Sequence, residues 1–132
     1  MRVLVADDAG LFRAGLANLL EARGHVVVGQ ARDGFEALEQ ARRLRPDLVL
    51  MDVCMPRCTG LEATRLIRTE LPEISIVLVA AASEGGELLE TLRSGVAGCL
   101  LKEQPVEELT RVLDEVAALS RNGCETPLGK ET

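Results

Sequence analysis

The alternation of short apolar runs with amphipathic stretches predicts an α/β protein whose strands form a doubly wound parallel sheet. Five runs of apolar and mostly β-branched residues predict buried strands at residues 3–6, 26–29, 48–51, 74–80 and 97–101. A stretch with helical spacing follows each run, so every strand-to-strand connection is long enough for a crossover helix. The chain has 132 residues, and this length excludes a (β/α)8 barrel, which needs about 250 residues.

The helical stretches share apolar side chains that recur every three or four residues. They are marked by Leu11, Phe12, Leu16, Leu19 and Leu20, by Phe35, Leu38, Ala41 and Leu44, by Leu61, Ala63, Leu66 and Ile67, by Leu88, Leu89 and Leu92, and by Val106, Leu109, Val112, Leu113 and Val116. After residue 118 the apolar period ends, and Gly, Pro and charged residues follow. We therefore predict one domain over residues 1–118, and a flexible tail or the start of a linker over residues 119–132.

The composition excludes several classes of function. Lys and Arg total 15 against 21 Asp and Glu, which gives a net charge of −6 and argues against sequence-independent nucleic-acid binding by this chain. The longest strictly apolar run, residues 76–82, is far shorter than the about 20 residues of a membrane span. Asp7 and Asp8 argue against a secretory leader with an apolar centre. We expect a soluble cytoplasmic protein that does not engage a membrane.

Cysteine and histidine offer no metal site of the soft-ligand type. The four cysteines lack the C-x-x-C spacing of zinc and redox motifs: Cys54, Cys58, Cys99 and Cys124. His25 is the single histidine, so the chain cannot form a histidine-rich metal site. Any Ser-His-Asp or Cys-His pair would have to use His25. Because His25 precedes the apolar residues 26–28, we expect it at a solvent-facing strand edge.

Ionisable side chains stand where three of the predicted strands end. Asp7 and Asp8 follow the first strand, Asp52 the third and Lys102 the fifth. Each alone is compatible with a helix cap, a turn or a solvated loop charge. Parallel strands end at one edge of the sheet, however, and ligands bind there in open α/β sheets.

Three clustered carboxylates repel one another, so a stable cluster needs a cation, and hard oxygen ligands suit Mg²⁺. An aspartate can act as a nucleophile that forms an aspartyl phosphate, and a nearby lysine would offset the added negative charge. The set of Asp7, Asp8, Asp52 and Lys102 therefore predicts a site that accepts a phosphoryl group.

Three segments resemble the receiver (CheY-like) domain of two-component response regulators. They are VLVADD at residues 3–8, LVLMDVCMPRCTG at 48–60 and CLLK at 99–102. The resemblance covers roughly residues 2–118, and the pattern Asp-x-x-Met-Pro-x-x-x-Gly from Asp52 to Gly60 is its most specific part. It implies a flavodoxin-like (βα)5 fold with a five-stranded parallel sheet of strand order 2-1-3-4-5.

The resemblance also implies a role for each site residue. Asp52 would be the phosphoacceptor, and Lys102 would contact the phosphoryl group. Asp8 would bind Mg²⁺ directly and Asp7 through water, while Asp52 and the backbone carbonyl of Cys54 would complete the protein ligands.

Other segments are most similar to the subfamily that carries a C-terminal LuxR-type helix-turn-helix domain, namely residues 13–21, 60–65 and 96–102. This similarity implies a sensor histidine kinase as partner, a homodimer, and DNA contact only through a separate output domain. The chain would then be a signalling domain that promotes its own phosphorylation and dephosphorylation, without a separate substrate.

Two positions depart from the family pattern. The Ser or Thr that ends the fourth strand in the family is Ala80 here, and the switch aromatic of the fifth strand is Cys99. A degenerate receiver that works as a phosphorylation-independent dimerisation or interaction module is therefore an alternative.

Two further alternatives are weaker. An Asp-nucleophile phosphatase needs a second acid two residues after the first, where this chain has Cys54. A flavodoxin-type FMN site needs aromatic residues beside the flavin, and the chain contains no Tyr or Trp.

Overall fold

The computed structural model describes residues 1–55, 57–81 and 95–121. Its strands are β1 (Arg2–Ala6), β2 (Val26–Ala31), β3 (Leu48–Asp52), β4 (Ser75–Ala80) and β5 (Gly98–Leu101). Its helices in these ranges are α1 (Gly10–Ala22), α2 (Gly34–Leu44), α3 (Gly60–Glu70) and α4 (Val106–Arg121). The predicted helix marked by Leu88, Leu89 and Leu92 lies outside the described residues.

The five strands form one parallel sheet of order β2-β1-β3-β4-β5. This confirms the predicted fold, and the ends of the strands differ from the predicted ends by two residues at most. The register aligns the carboxyl ends of neighbouring strands, since Ala6 pairs with Met51, Asp52 with Val79, and Ala80 with Leu101. Residues that follow β1, β3 and β5 therefore reach the same edge of the sheet, which we term the carboxyl edge.

A separate apolar core covers each face of the sheet. On one face, Leu4, Val49 and Leu78 of the strands pack with side chains of α2 and α3, among them Ala41 and Ile67. The opposite face packs against α1 and α4 through a second set of buried residues, which includes Val5, Leu50, Leu20 and Leu113. All strand residues from Leu48 to Met51 are at most 1% exposed, as expected for a strand with a helix layer on both faces.

Several residues are placed differently from the sequence expectation, and among them Val26 of β2 and Leu66 of α3 are exposed rather than buried. His25 is buried rather than solvent-facing: its ring lies at the amino edge of the sheet, where Nδ1 is 3.2 Å from the amino nitrogen of Met1. Burial, and then the neighbouring amino-terminal charge, lower the pKa of His25. Leu11 and Phe35 are 92% and 57% exposed, because the helical turn of about 3.6 residues places both away from the face that carries the buried residues of α1 and α2.

The last helix extends three residues past the predicted domain end, to Arg121. The boundary between domain and tail stays a prediction, since residues 122–132 lie outside the described part of the chain. Within residues 1–55, 57–81 and 95–121, no helix has the length and hydropathy that a membrane span requires.

Candidate functional site

The structure brings the four ionisable residues together at the carboxyl edge. One carboxylate oxygen from each of Asp7, Asp8 and Asp52 lies within 4.8 Å of the other two. The Nζ atom of Lys102 is 3.4 Å from Oδ2 of Asp7 and 3.5 Å from Oδ2 of Asp52. The side chains thus come from the ends of β1, β3 and β5, as the strand pattern predicted.

Two oxygens of this cluster are buried without a hydrogen-bond donor from the described residues. Asp7 and Asp52 are 1% and 2% exposed, whereas Asp8 faces solvent. Oδ1 of Asp7 accepts a bond of 2.8 Å from the Ala9 amide, Oδ2 of Asp7 is left with the Lys102 ammonium at 3.4 Å as its ion-pair partner, and Oδ1 of Asp52 accepts no bond. A buried, unsatisfied carboxylate oxygen is costly. A divalent cation would satisfy both, and the all-oxygen donor set with one solvent-facing carboxylate fits Mg²⁺.

Protonation of the cluster is perturbed by burial and by charge. Burial, and secondly the negative charge of Asp7, raise the pKa of Asp52 to about 6, although Lys102 and a hydrogen bond from the Cys54 backbone lower it. Burial of the Lys102 ammonium is outweighed by the carboxylates of Asp52 and Asp7, so the pKa of Lys102 lies above its usual value. At neutral pH the site therefore holds an ionised Asp52 beside a protonated Lys102.

Hydrogen bonds join the acidic loop after β1 to the end of β2 and to the Arg13 side chain of α1. The Asp7 amide donates to the Ala31 carbonyl at 3.0 Å. The Arg13 guanidinium donates to the Asp7 carbonyl at 2.7 Å and to Oε1 of Gln30 at 3.1 Å. Arg13 was not predicted as a site residue, because the helical pattern of α1 gives no indication that it turns back toward β1.

The loop after β3 packs closely against Asp52. Gly60 donates its amide to the Val53 carbonyl at 3.0 Å, and a Cβ atom on Gly60 would overlap the carbonyl oxygen of Asp52. A capping box then starts α3: the Thr59 side chain accepts from the Glu62 amide, and the Glu62 side chain accepts from the Thr59 amide. Gly60 is therefore required for close approach, since any side chain would push α3 away from Asp52.

A second contact joins this loop to α2. Arg57 has a left-handed φ of 68° and pairs with Oδ2 of Asp33 at 2.7 Å. Its guanidinium also lies 5.9 Å from the ring centroid of Phe35, and the Gly34 amide donates to the Cys58 carbonyl at 2.8 Å. The loop is thus held from both sides, by α2 and by α3.

The two positions that depart from the family pattern are close to the site. Ala80 is fully buried, and its carbonyl accepts a bond of 2.8 Å from the Lys102 amide. Cys99 lies on β5, pairs with Leu78 of β4 and packs against the core on the α2–α3 face. Cys54, whose carbonyl the resemblance offers as a metal ligand, is exposed two residues after Asp52.

Comparison with known families gives the same assignment as the site. The family model described as the response regulator receiver domain matches residues 3–114 of the sequence. The chain belongs to the receiver domain family. It is thus a signalling domain of two-component systems. Receiver domains bind Mg²⁺ at an acidic site.

Individual relatives extend this assignment. The receiver domain is 40% identical to the response regulator GacA of Pseudomonas aeruginosa over 122 residues, which are 92% of this chain and 57% of GacA. The crystal structure of a LuxR-family two-component response regulator from Aurantimonas sp. matches with a TM-score of 0.81 and 30% identity, over 98% of this chain and 93% of that one. The chain spans a little over half the length of the curated relatives that it matches first.

One solved neighbour contains a metal. The response regulator TrrA of Thermotoga maritima, in complex with Mg²⁺ and BeF, matches with a TM-score of 0.78 and 29% identity, over 87% of this chain and 97% of that one.

Proposed function

We propose that this receiver domain accepts a phosphoryl group on Asp52 from a sensor histidine kinase, in the presence of Mg²⁺. The observation that carries the proposal is the buried Asp52 carboxylate, which has one oxygen without a hydrogen-bond donor and lies beside Asp7, Asp8 and Lys102. No folding role explains such an oxygen, because an unsatisfied buried carboxylate destabilises the fold.

The chain's own residues supply the nucleophile and the charges. A carboxylate oxygen of ionised Asp52 forms a bond to phosphorus, the bond from phosphorus to the donor histidine breaks, and the imidazole leaves with the electron pair and takes up a proton. The Lys102 ammonium, 3.5 Å from Asp52, offsets the charge of the phosphoryl group. Asp7, Asp8, Asp52 and the Cys54 carbonyl would hold Mg²⁺, which when bound neutralises phosphoryl oxygens.

We further propose that residues 1–118 form the phosphorylated domain of a cytoplasmic transcriptional regulator. Curated relatives are about twice as long as the match to this chain, which supports a separate output domain that contacts DNA. A homodimer of the phosphorylated form is the corresponding quaternary state.

A small phosphodonor tests the proposal directly. The protein is incubated with phosphoramidate and MgCl2, and intact-protein mass spectrometry is expected to show one added phosphoryl group. Asp52→Asn is expected to abolish the adduct. The matched control Asp47→Asn, which changes an exposed carboxylate at the amino edge, is expected to retain it. Unmodified wild-type protein under these conditions would refute the proposal.

A second candidate function is favoured by Ala80. Ala80 is fully buried, its carbonyl accepts a bond from the Lys102 amide, and its methyl group cannot donate a hydrogen bond to a phosphoryl group. Loss of such a charge-assisted bond removes about 1.5–3 kcal/mol of coupling between phosphorylation and shape. The chain would then act as an interaction module whose dimerisation is independent of phosphate.

Analytical ultracentrifugation with and without Mg²⁺ and beryllofluoride separates the two functions. A shift of the dimer dissociation constant by tenfold, about 1.4 kcal/mol, supports phosphate control. An unchanged constant in protein that binds beryllofluoride supports the independent module.

A further inference from the structure

Both aromatic residues of the chain face a cation beside the site. The sequence contains two Phe and no Tyr or Trp. The Phe12 ring centroid is 5.0 Å from Nζ of Lys102, and the Phe35 centroid is 5.9 Å from the Arg57 guanidinium carbon. An ammonium over a ring at this distance is attracted to the negative face of the π system.

We propose that Phe12 is a positioning residue that holds the Lys102 ammonium, and that phosphorylation of Asp52 is transmitted to α1 through this contact. The inference rests on the proposed phosphoacceptor function. It assigns to Phe12 a response to the phosphorylation of Asp52. In this chain the two switch positions of the family, Ala80 and Cys99, supply neither a hydroxyl nor a ring.

The geometry around Lys102 supports the positioning role. Lysine has a long flexible stem, so its ammonium takes a fixed place only when several groups define it. Oδ2 of Asp7 and Oδ2 of Asp52 attract Nζ from the acidic side at 3.4 and 3.5 Å. The Phe12 ring supplies a further contact, from α1.

A change of charge at Asp52 acts on this balance. A phosphoryl group adds negative charge on the Asp52 side of the ammonium, while the attraction of the ring stays constant. The ammonium is therefore drawn toward the phosphoryl group and away from Phe12. The ring then loses its contact with the ammonium and keeps its packing against the core on the α1–α4 face.

The surroundings of Phe12 leave room for a new orientation of the ring. A cavity of about 380 Å³ lies between α1 and α4, and Phe12, Leu16, Lys102 and Leu109 are among its lining residues. Gly15, one turn after Phe12, also lines the cavity, and a Cβ atom there would have no neighbour within 4 Å. A rotated ring can thus be accommodated without a shift of the helices.

Fluorine NMR tests the transmission with an internal control. Protein labelled with 4-fluorophenylalanine gives one signal for Phe12 and one for Phe35, and Phe35→Leu identifies which is which. On addition of Mg²⁺ and beryllofluoride we expect the Phe12 signal to move at least threefold further than the Phe35 signal. Equal movement, or an unmoved Phe12 signal, in protein that shows bound beryllofluoride overturns the inference alone. Absence of bound beryllofluoride contradicts the proposed function as well.

Phosphorylation kinetics test the positioning role separately. Phe12→Leu keeps an apolar side chain but removes the ring, and we expect phosphorylation by phosphoramidate to slow about fivefold, which corresponds to about 1 kcal/mol. The Mg²⁺ dissociation constant should stay within twofold, because Phe12 is not a member of the proposed ligand set. Phe12→Tyr should restore the rate, and Phe35→Leu should leave it unchanged. Equal slowing by Phe12→Tyr and Phe12→Leu, or none by either, contradicts a role of the ring.

Discussion

The two edges of the sheet differ in how well their polar side chains are satisfied by hydrogen bonds. At the amino edge, the Arg2 guanidinium donates to the carbonyls of Leu44 and Arg45 at 2.7 and 2.6 Å, and the Arg2 amide donates to Oδ2 of Asp47 at 2.8 Å. These bonds satisfy carbonyls that the end of α2 leaves without a partner. At the carboxyl edge, buried oxygens of Asp7 and Asp52 accept no bond from the described residues.

This difference separates the residues that stabilise the fold from those that we assign to chemistry. Polar groups at the amino edge are exposed or paired, so their loss should cost stability alone. The carboxylates of Asp7 and Asp52 at the carboxyl edge are buried close to one another and should destabilise the metal-free fold, because their mutual repulsion and desolvation exceed what one lysine offsets. Substitutions at the two edges should therefore differ in size or in sign.

The largest effect is expected for Lys102→Met in metal-free protein. This change leaves two buried carboxylates without their cation, and we expect a loss of about 2–4 kcal/mol in the free energy of unfolding at pH 8. Urea denaturation in EDTA measures it. The loss should shrink at pH 5, where Asp52, with its pKa of about 6, is largely protonated. A loss of equal size at both pH values would show that charge is not the cause.

The same Asp-to-Asn change should have opposite signs at the two edges. Asp52→Asn removes a desolvated charge and should stabilise the metal-free protein by about 1–3 kcal/mol at pH 7. Asp47→Asn weakens the hydrogen bond from the Arg2 amide and should destabilise it by about 0.5–1 kcal/mol. Thermal or urea unfolding of both variants measures the sign of each change in the free energy of unfolding. Destabilisation by both would remove the distinction between the edges.

The pH dependence of stability should also report on the carboxyl edge. The pKa of Asp52 is raised from 3.8 to about 6 in the folded chain, so the folded state binds more protons than the unfolded state between these values. The stability of metal-free wild-type protein relative to Asp52→Asn should therefore fall by about 1 kcal/mol between pH 5 and 7, since His25, whose lowered pKa acts in the opposite direction, contributes equally to both. Mg²⁺ should reverse the trend, since it binds the ionised carboxylates.

The smallest effect is expected for Arg2→Lys at the amino edge. Lysine keeps the charge but cannot reach both carbonyls with a planar fork, so we expect a loss of about 0.5–1 kcal/mol. The phosphorylation rate should not change. A changed rate with unchanged stability would show that the amino edge takes part in the chemistry.

Most of the fold and the members of the site could be predicted from the sequence. Apolar runs of strand length locate the sheet, and the ionisable residues directly after β1, β3 and β5 converge because parallel strands end at one edge. Helical periodicity was less informative about burial. Leu11 and Phe35 are apolar but lie off the helix face that carries the buried residues of α1 and α2, so an apolar residue in a first helical turn is not thereby a core residue.

Contacts that depend on side-chain orientation could not be predicted. The Phe12 ring beside Lys102 and the Arg13 guanidinium on the Asp7 carbonyl join residues that sequence spacing does not relate. His25 is a similar case. The Met1 amino group lies beside its ring, and Asp114 and Ala117 of α4 line the same cavity at the amino edge. These contacts form only after the helices pack on the sheet.

The fit between Gly60 and the Asp52 carbonyl has a consequence for protein engineering. The start of α3 touches the backbone of Asp52 directly and bonds to Val53, so the main chain at the end of β3 and the first residue of α3 hold each other in place. A designer who grafts Asp52 onto another parallel sheet must transplant Gly60 and the start of α3 with it, since the aspartate alone would lack the helix that contacts its main chain.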